Sequence, residues 1–398
     1  MTISSIVVSG TPEAARAAFL DASSLVGFAV GGAGDGARIG DIYLGRVARV
    51  VSPLAAAFVD VGLERDGWLA LPVRGKGRVI GEGDAVLVQI RRELEPGKGV
   101  RLTANPTLPG RTLVLVPGGN RARLSPRLAA AADRRRLESL AGTLPAGTGW
   151  VVRTAAGGVE AEEIAAEAAR LLVSWGSITA AAAEARPPAR LHRAADPLIA
   201  AIDGASGPEL TAVVVDHPRT MASIRRALPH VAARLRLHRG SRPVFEDWGV
   251  DEQLEAALAP RIVLPVGGTV TFAETAAVVA IDVDVGAADR GDRDQTILRV
   301  NLEAAAAIAR QVRLRDLGGH IVVDFVPMKR RDHATRVLDA LRSGFADDRG
   351  EPQFAGFTRL GLVEMTRRRR GPSLARRLGT HCPLCGAHHR SHDDGAAA

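Results

Sequence analysis

The sequence predicts an α+β chain of several domains, and three observations carry that expectation. Two β-branched apolar runs, 278–286 and 321–326, enclose a segment of helical period. Residues 37–103 are instead a series of short β-rich runs separated by Gly and Pro turns. Ala-rich helical stretches stand apart from both, at 127–140 and 160–175. The 398 residues are material for about two to four domains. A hydrophobic content of 46% and a charged content of 24% are those expected of an ordinary soluble globular protein.

In chain order, residues 1–33 read as a strand, a short helix and a second strand that closes on Gly31-Gly32-Ala33-Gly34. The runs at 42–47, 55–62, 66–71 and 84–90 have the spacing of a small barrel. A further β segment starts at 112–116, and a strand at 149–154 lies between the two Ala-rich helices, the second of which extends through 179–185. Pro187-Pro188 marks a joint. Residues 190–262 read as α/β, with a strand at 210–215 and a helix at 219–228. The two acid-bearing runs follow, and four arginines at 367–370 lead into a short tail.

The acid-bearing runs are the chemically loaded part. A strand has a side-chain period of two, so Asp282 and Asp284 share one face while Ile281, Val283 and Val285 share the other. The helix begins at Asn301, shows an apolar stripe through Leu302, Ala305, Ile308, Ala309 and Val312, and stops at Gly318-Gly319. A strand, a helix and a return strand bring Asp324 beside Asp282. Clustered carboxylates without a nearby Lys suit magnesium, a hard cation that prefers oxygen. The plainer reading is a set of strand-end acids facing solvent.

Other motifs are weaker. Phe58 and Trp68 each adjoin a Gly-containing turn, with Lys98 downstream, and suit base stacking on a barrel or simple core burial. Cys382-Pro383-Leu384-Cys385 offers two of the four ligands of tetrahedral zinc. The other two would come from His381, His388, His389 or His392, or from the same cysteines of a second chain; a free thiol pair is the alternative. Arg153-Thr154 ends a strand, Gly110 and Val114 begin the segment before it, and an Arg beside a hydroxyl is able to hold a phosphate or to lie idle at the surface. The formal charge of +8 favours a polyanion, nucleic acid before membrane. Lys occurs only at Lys76, Lys98 and Lys329, so the basic side chains are nearly all Arg. There is no run of membrane-spanning length and no signal peptide, and two cysteines are no disulfide framework. These features together predict a cytoplasmic protein.

From about residue 38 to Cys385 the chain resembles the ribonuclease E/G family, closer to its shorter ribonuclease G branch. The resemblance is carried by Gly40-Asp-Ile-Tyr-Leu-Gly-Arg-Val-Ala-Arg-Val through Trp68-Leu69-Ala70-Leu71, by Asn301-Leu302-Glu303-Ala304 through Arg315-Asp316-Leu317-Gly318-Gly319, and by Gly361-Leu362-Val363-Glu364-Met365-Thr366-Arg367. It implies an RNase H-like subdomain in two pieces, 1–37 and 196–265. An OB-fold RNA-binding barrel at 38–105 and a 5′ sensor at 106–195 are inserted in it. A DNase I-like catalytic subdomain follows at 266–378, with a zinc-link tail at 379–398.

The resemblance further implies that Asp282 and Asp324 hold magnesium and that Asp284 stands where the family has a phosphate-orienting Asn. Phe58, Trp68 and Lys98 would contact single-stranded RNA, and Gly110, Val114, Arg153 and Thr154 would sense a 5′-phosphate. A further sensor arginine of some members falls at Glu351, near Arg349. Cys382 and Cys385 would share zinc with a second chain in a homodimer. The implied activity is a magnesium-dependent endoribonuclease that leaves 5′-phosphate and 3′-hydroxyl ends, in ribosomal RNA processing or messenger decay. Two rivals remain: a family member that binds RNA without cutting it, prompted by Asp284, and a zinc-held interaction scaffold.

Overall fold

Short strands that alternate apolar and polar residues hide one side each, and five of them do so by curling around a common interior. These are β1 (Ile42–Val51), β2 (Ala56–Asp60), β3 (Gly67–Ala70), β4 (Ala85–Arg92) and β5 (Arg101–Thr103), paired in the order β1-β2-β3-β5-β4. Strand β4 returns to pair with β1, Leu44 opposite Leu87, and the barrel closes. Ala189–His192 pairs antiparallel with the start of β1 as a sixth, outer strand of the same sheet. Tyr43, Val47, Val59, Leu69, Val88 and Ile90 fill the inside.

The computed structural model describes residues 3–31, 36–71, 80–92, 99–125, 131–275, 277–286, 292–346, 348, 350–369, 371–381 and 388–390. The chain divides into two units, Gly34–Ala195 and the combination of Met1–Ala33 with Asp196–Ala398. The first unit holds the barrel and a four-stranded sheet ordered Ala122–Leu124, Gly149–Val152, Leu113–Val116 and Leu108–Pro109. Helices Ala131–Thr143 and Ala161–Glu184 cover that sheet around Trp150, Leu115, Leu137 and Ile164.

In the second unit, a five-stranded sheet runs Leu235–Leu237, Ala212–Val215, Ser5–Ser9, Arg16–Asp21, Ser24–Val30. Its first three members are parallel and its last three antiparallel. Apolar side chains pack on both faces, Ile6 and Val8 on one and Val7 and Leu20 on the other. The short helix expected within residues 1–33 is absent among the described residues; 16–21 is a strand instead. Alanine's helix preference is a weak intrinsic term. Here Ala17, Ala18 and Leu20 are wholly buried between two neighbouring strands, and pairing overrides that preference.

The same unit carries a six-stranded sheet of β6 (Arg261–Val263), β7 (Thr269–Glu274), β8 (Val278–Asp284), β9 (Gly319–Asp324), β10 (Gln353–Phe357) and β11 (Val363–Arg367), ordered β6-β7-β8-β9-β11-β10. Helix α1 (Arg293–Leu314) links the parallel neighbours β8 and β9, and α2 (Arg331–Gly344) follows β9. The described part of α1 begins about two turns before residue 301, capped by the Asp292 carboxylate on the Asp294 amide. Both helices lie against one face of the sheet, burying Val270, Ile281, Val283, Ile321, Val323 and Val363. No helix among the described residues is long and apolar enough to cross a membrane.

Candidate active site

Burial of one sheet face leaves the alternate residues on the other. Along β8 the buried Ile281 and Val283 alternate with the exposed Asp282 and Asp284. Along β9 the buried Ile321 and Val323 precede the exposed Asp324. The register places Asp282 directly opposite Asp324. Neighbouring strands lie about 4.8 Å apart, so the two carboxylates leave the sheet side by side. The same cross-strand row continues through Thr271 on β7 to Arg261 on β6.

The turn after Asp284 is held by its own carboxylate, whose Oδ1 accepts from the Gly286 amide at 3.1 Å. Gly286 has φ +57°, and a Cβ there would come within 2.6 Å of the Gly267 carbonyl, so a larger residue is excluded twice over. The segment leaving Asp324 is fixed from behind. Asn301, fully buried on α1, donates from Nδ2 to the Val326 carbonyl at 2.8 Å and accepts the Val326 amide on Oδ1 at 3.1 Å. An amide side chain thus continues the hydrogen-bonding of β9 two residues past Asp324.

No hydrogen bond or ion pair from a described residue engages Asp282 or Asp324. Two adjacent carboxylates with open coordination suit magnesium, which keeps several waters and takes one or two carboxylates plus substrate phosphate. Among the described residues no three His, Cys, Asp or Glu side chains form a metal-holding group.

On the barrel, Phe58 of β2 and Trp68 of β3 stand directly opposite each other. Both are half-buried, whereas their neighbours Val59 and Leu69 are interior, so the rings lie on the outer wall rather than in the core. Arg49 lies over the Phe58 ring at 5.0 Å and Arg101 over the Trp68 ring at 4.4 Å. Sequence reasoning missed both arginines. Lys98 lies outside the described residues.

The four sensor candidates converge in part. The Arg153 side chain donates from Nη1 to the Gly110 carbonyl, and its backbone amide donates to Thr112. Val114 pairs with Val151 in the adjoining strands, and Thr154 is exposed at the end of that sheet. The buried Glu167, missed from sequence, organises this corner. Its carboxylate accepts the Thr112 hydroxyl at 2.6 Å and the Thr112 amide at 3.1 Å. It also occupies the space where a Cβ on residue 110 would go, which accounts for Gly110. A buried acid at position 167, on the apolar stripe with Ile164 and Ala168, was the available signal.

Glu351 is exposed with φ +51° and pairs with Arg368 at 3.3 Å, while Arg349 lies outside the described residues. So do Cys382, Cys385 and His392. The strands Gly379–His381 and His388–Arg390 on either side of the cysteines pair antiparallel, His381 opposite His388.

Residues 107–370 match the family model described as Ribonuclease E/G family. That is more than half the chain. The chain belongs to the ribonuclease E/G family. Among its relatives, ribonuclease E of Nostoc sp. is 37% identical over 369 residues, covering 88% of this chain and 54% of that protein. Ribonuclease G of Salmonella typhimurium is 32% identical over 406 residues, 96% of this chain and 83% of that protein. Ribonuclease E of Escherichia coli is 35% identical over 397 residues, 94% of this chain and 37% of that protein. The chain thus spans about half the Nostoc relative but most of the Salmonella one. The family region of 107–370 includes Asp282 and Asp324, and the broader similarity takes in the barrel.

Proposed function

We propose that this ribonuclease E/G family member is an endoribonuclease that cuts single-stranded RNA at the Asp282–Asp324 pair. The observation that carries the reading is their direct register across β8 and β9 on the open face of the sheet. Asp282 and Asp324 would hold magnesium. When bound, the ion supplies positive charge for the scissile phosphate and lowers the pKa of an attacking water. The side chains contribute placement: the strands fix the carboxylates, and Asn301 fixes the chain that leaves Asp324. No side-chain nucleophile is required, and cleavage would leave 5′-phosphate and 3′-hydroxyl ends. The test is cleavage of a fluorogenic single-stranded RNA followed by analysis of the product ends.

The subdomain assignments belong to the same proposal. The five-stranded sheet with antiparallel and parallel halves supports an RNase H-like reading of 1–37 with 196–265, and the closed barrel supports an OB-fold reading of 38–105. The 106–195 region would sense a 5′-phosphate through Arg153 and Thr154, residues 266–378 would be the DNase I-like catalytic part, and 379–398 the zinc link. Ribosomal RNA processing or messenger decay in the cytoplasm would be the setting.

Asp284 is the departure from the family pattern. An Asn in its place keeps an oxygen for the Gly286 amide and removes one negative charge from the sheet face that carries Asp282 and Asp324. Asp284→Asn is therefore expected to leave the melting temperature unchanged and to raise the magnesium concentration needed for half-maximal rate. An unshifted magnesium titration would deny Asp284 any part in metal binding.

For the barrel, Phe58→Ala and Trp68→Ala are each expected to lose about 1–3 kcal/mol of single-strand affinity, the scale of base–aromatic stacking. Thermal melting run alongside distinguishes this from core damage: collapse of stability with affinity retained would return both rings to the core.

The thiol pair would hold zinc between two chains. Thiolates are zinc ligands at neutral pH, so the donor chemistry fits, and two cysteines fill half of a four-ligand site. Metal analysis with light scattering is expected to give a dimer with half a zinc per chain. A monomer with one zinc would assign the missing ligands to His388 and His389 instead.

A further inference from the structure

The outer wall of the barrel carries one continuous row across four neighbouring strands: Arg49 on β1, Phe58 on β2, Trp68 on β3 and Arg101 on β5. Three strand spacings of about 4.8 Å give it a length of about 14 Å. The row depends on a bulge. Val47 pairs with Val59, yet Phe58 is met by Arg49 rather than by Ala48, because one extra residue of β1 is inserted between them. Without that insertion Ala48 would face the ring and Arg49 would turn away. Arg101 needs no such device, since it pairs directly with Trp68.

Both arginines are exposed, and each sets its guanidinium over a ring. No hydrogen bond or ion pair from a described residue uses their N–H donors. A guanidinium braced on an aromatic face keeps its edge free, and that edge matches a phosphate in two-pronged fashion. The neighbouring rings offer apolar faces to bases. The row therefore offers a single strand lying across it two base platforms flanked by two phosphate holders.

We infer that Arg49 and Arg101 are RNA-binding residues, each gripping a backbone phosphate at one end of the Phe58–Trp68 platform. This rests on the reading of the barrel as an RNA-binding surface. It adds that the platform is charged at both ends and that its grip on the backbone is independent of base identity.

The test is equilibrium binding of the full chain to a short single-stranded RNA, in chelator to prevent turnover, over a range of salt concentrations. For single strands, each phosphate contact contributes about 0.7 to the slope of log affinity against log salt. Arg49→Gln with Arg101→Gln should flatten the slope by about 1.4, and each single change by about half of that. Phe58→Ala and Trp68→Ala should weaken binding while leaving the slope as in the parent. An abasic strand should lose its binding to the arginine pair of substitutions and be insensitive to the aromatic ones. Arg101→Lys should preserve the slope, because it preserves the charge. An unchanged slope in the doubly substituted protein would reduce the arginines to braces for the rings and overturn the inference. If the aromatic substitutions also fail to weaken binding, or the parent does not bind RNA, the barrel reading itself falls with it.

Discussion

Asp282→Asn and Asp324→Asn are each expected to slow RNA cleavage by about a hundredfold or more, the scale of removing one charge-stabilising group from an active site. Each change retains the shape of the side chain and deletes an anionic ligand. Both positions are exposed, so thermal stability should hold. Single-strand affinity should hold as well, because the barrel is untouched. The double variant should lose about as much as either single variant, since two ligands of one ion act as a unit. Parental turnover in both single variants at saturating magnesium would remove the carboxylate pair from the chemistry.

Arg367→Met is expected to give the largest loss of stability, about 3–5 kcal/mol, because it strands the buried Asp348 carboxylate without its cation. Arg367 is almost fully buried. It makes a two-pronged pair with the Asp348 carboxylate at 2.7 and 3.1 Å, and its Nη1 bonds Asp316 at 3.0 Å and the Leu317 carbonyl at 2.7 Å. These contacts tie the end of β11 to the turn that closes α1, directly upstream of β9. Urea denaturation measures the cost, and a loss under about 1 kcal/mol would show that the pair is energetically idle.

The same cluster sets an acid limit. Burial pushes the Asp348 carboxyl up, but the Arg367 hydrogen bonds, the Gly350 amide and the Arg367 charge outweigh it and hold the group below its ordinary value of 3.8. A carboxyl depressed in the folded state adds stability that is fully present above its unfolded value and fades as pH falls through the folded one. The linked stability should therefore persist to about pH 4 and decline below it. In Arg367→Met burial acts without its main counterweight and pushes the Asp348 carboxyl up in the folded state, so the acid decline should vanish or reverse, stability rising as pH falls through the raised value. Arg315, packed over Phe272 behind the sheet at 4.3 Å, is lowered by burial to about 10 and so remains a cation across this range.

The carboxylate pair was legible in the sequence because two strong periodicities frame it. Alternation put Asp282 on the polar face, and the strand–helix–strand order made β8 and β9 neighbours. Asn301 was legible in part. It was read as the helix start, whereas it lies inside α1 on the buried row with Ile297 and Ala305. A polar residue on an apolar stripe is a sign of a buried hydrogen-bond partner, here the backbone of Val326. Helix α2 went unread although His333, Val337 and Leu341 repeat every fourth residue.

What could not be read was cross-strand register. Phe58 and Trp68 were singled out one by one, but their pairing, and the bulge that aims Arg49 at Phe58, depend on how separate strands align. Residues 16–21 failed for a related reason: an alanine-rich segment takes its structure from the strands on either side.

Cutting of single-stranded RNA by magnesium held on Asp282 and Asp324 remains the proposal on which the rest depends. It is tested most directly by following cleavage of a fluorogenic single strand by the parent protein as magnesium is titrated, then removed with excess chelator. The rate should rise with magnesium to a plateau, fall to background in chelator and return when magnesium is restored. Cleavage that continues undiminished in chelator would contradict the proposal.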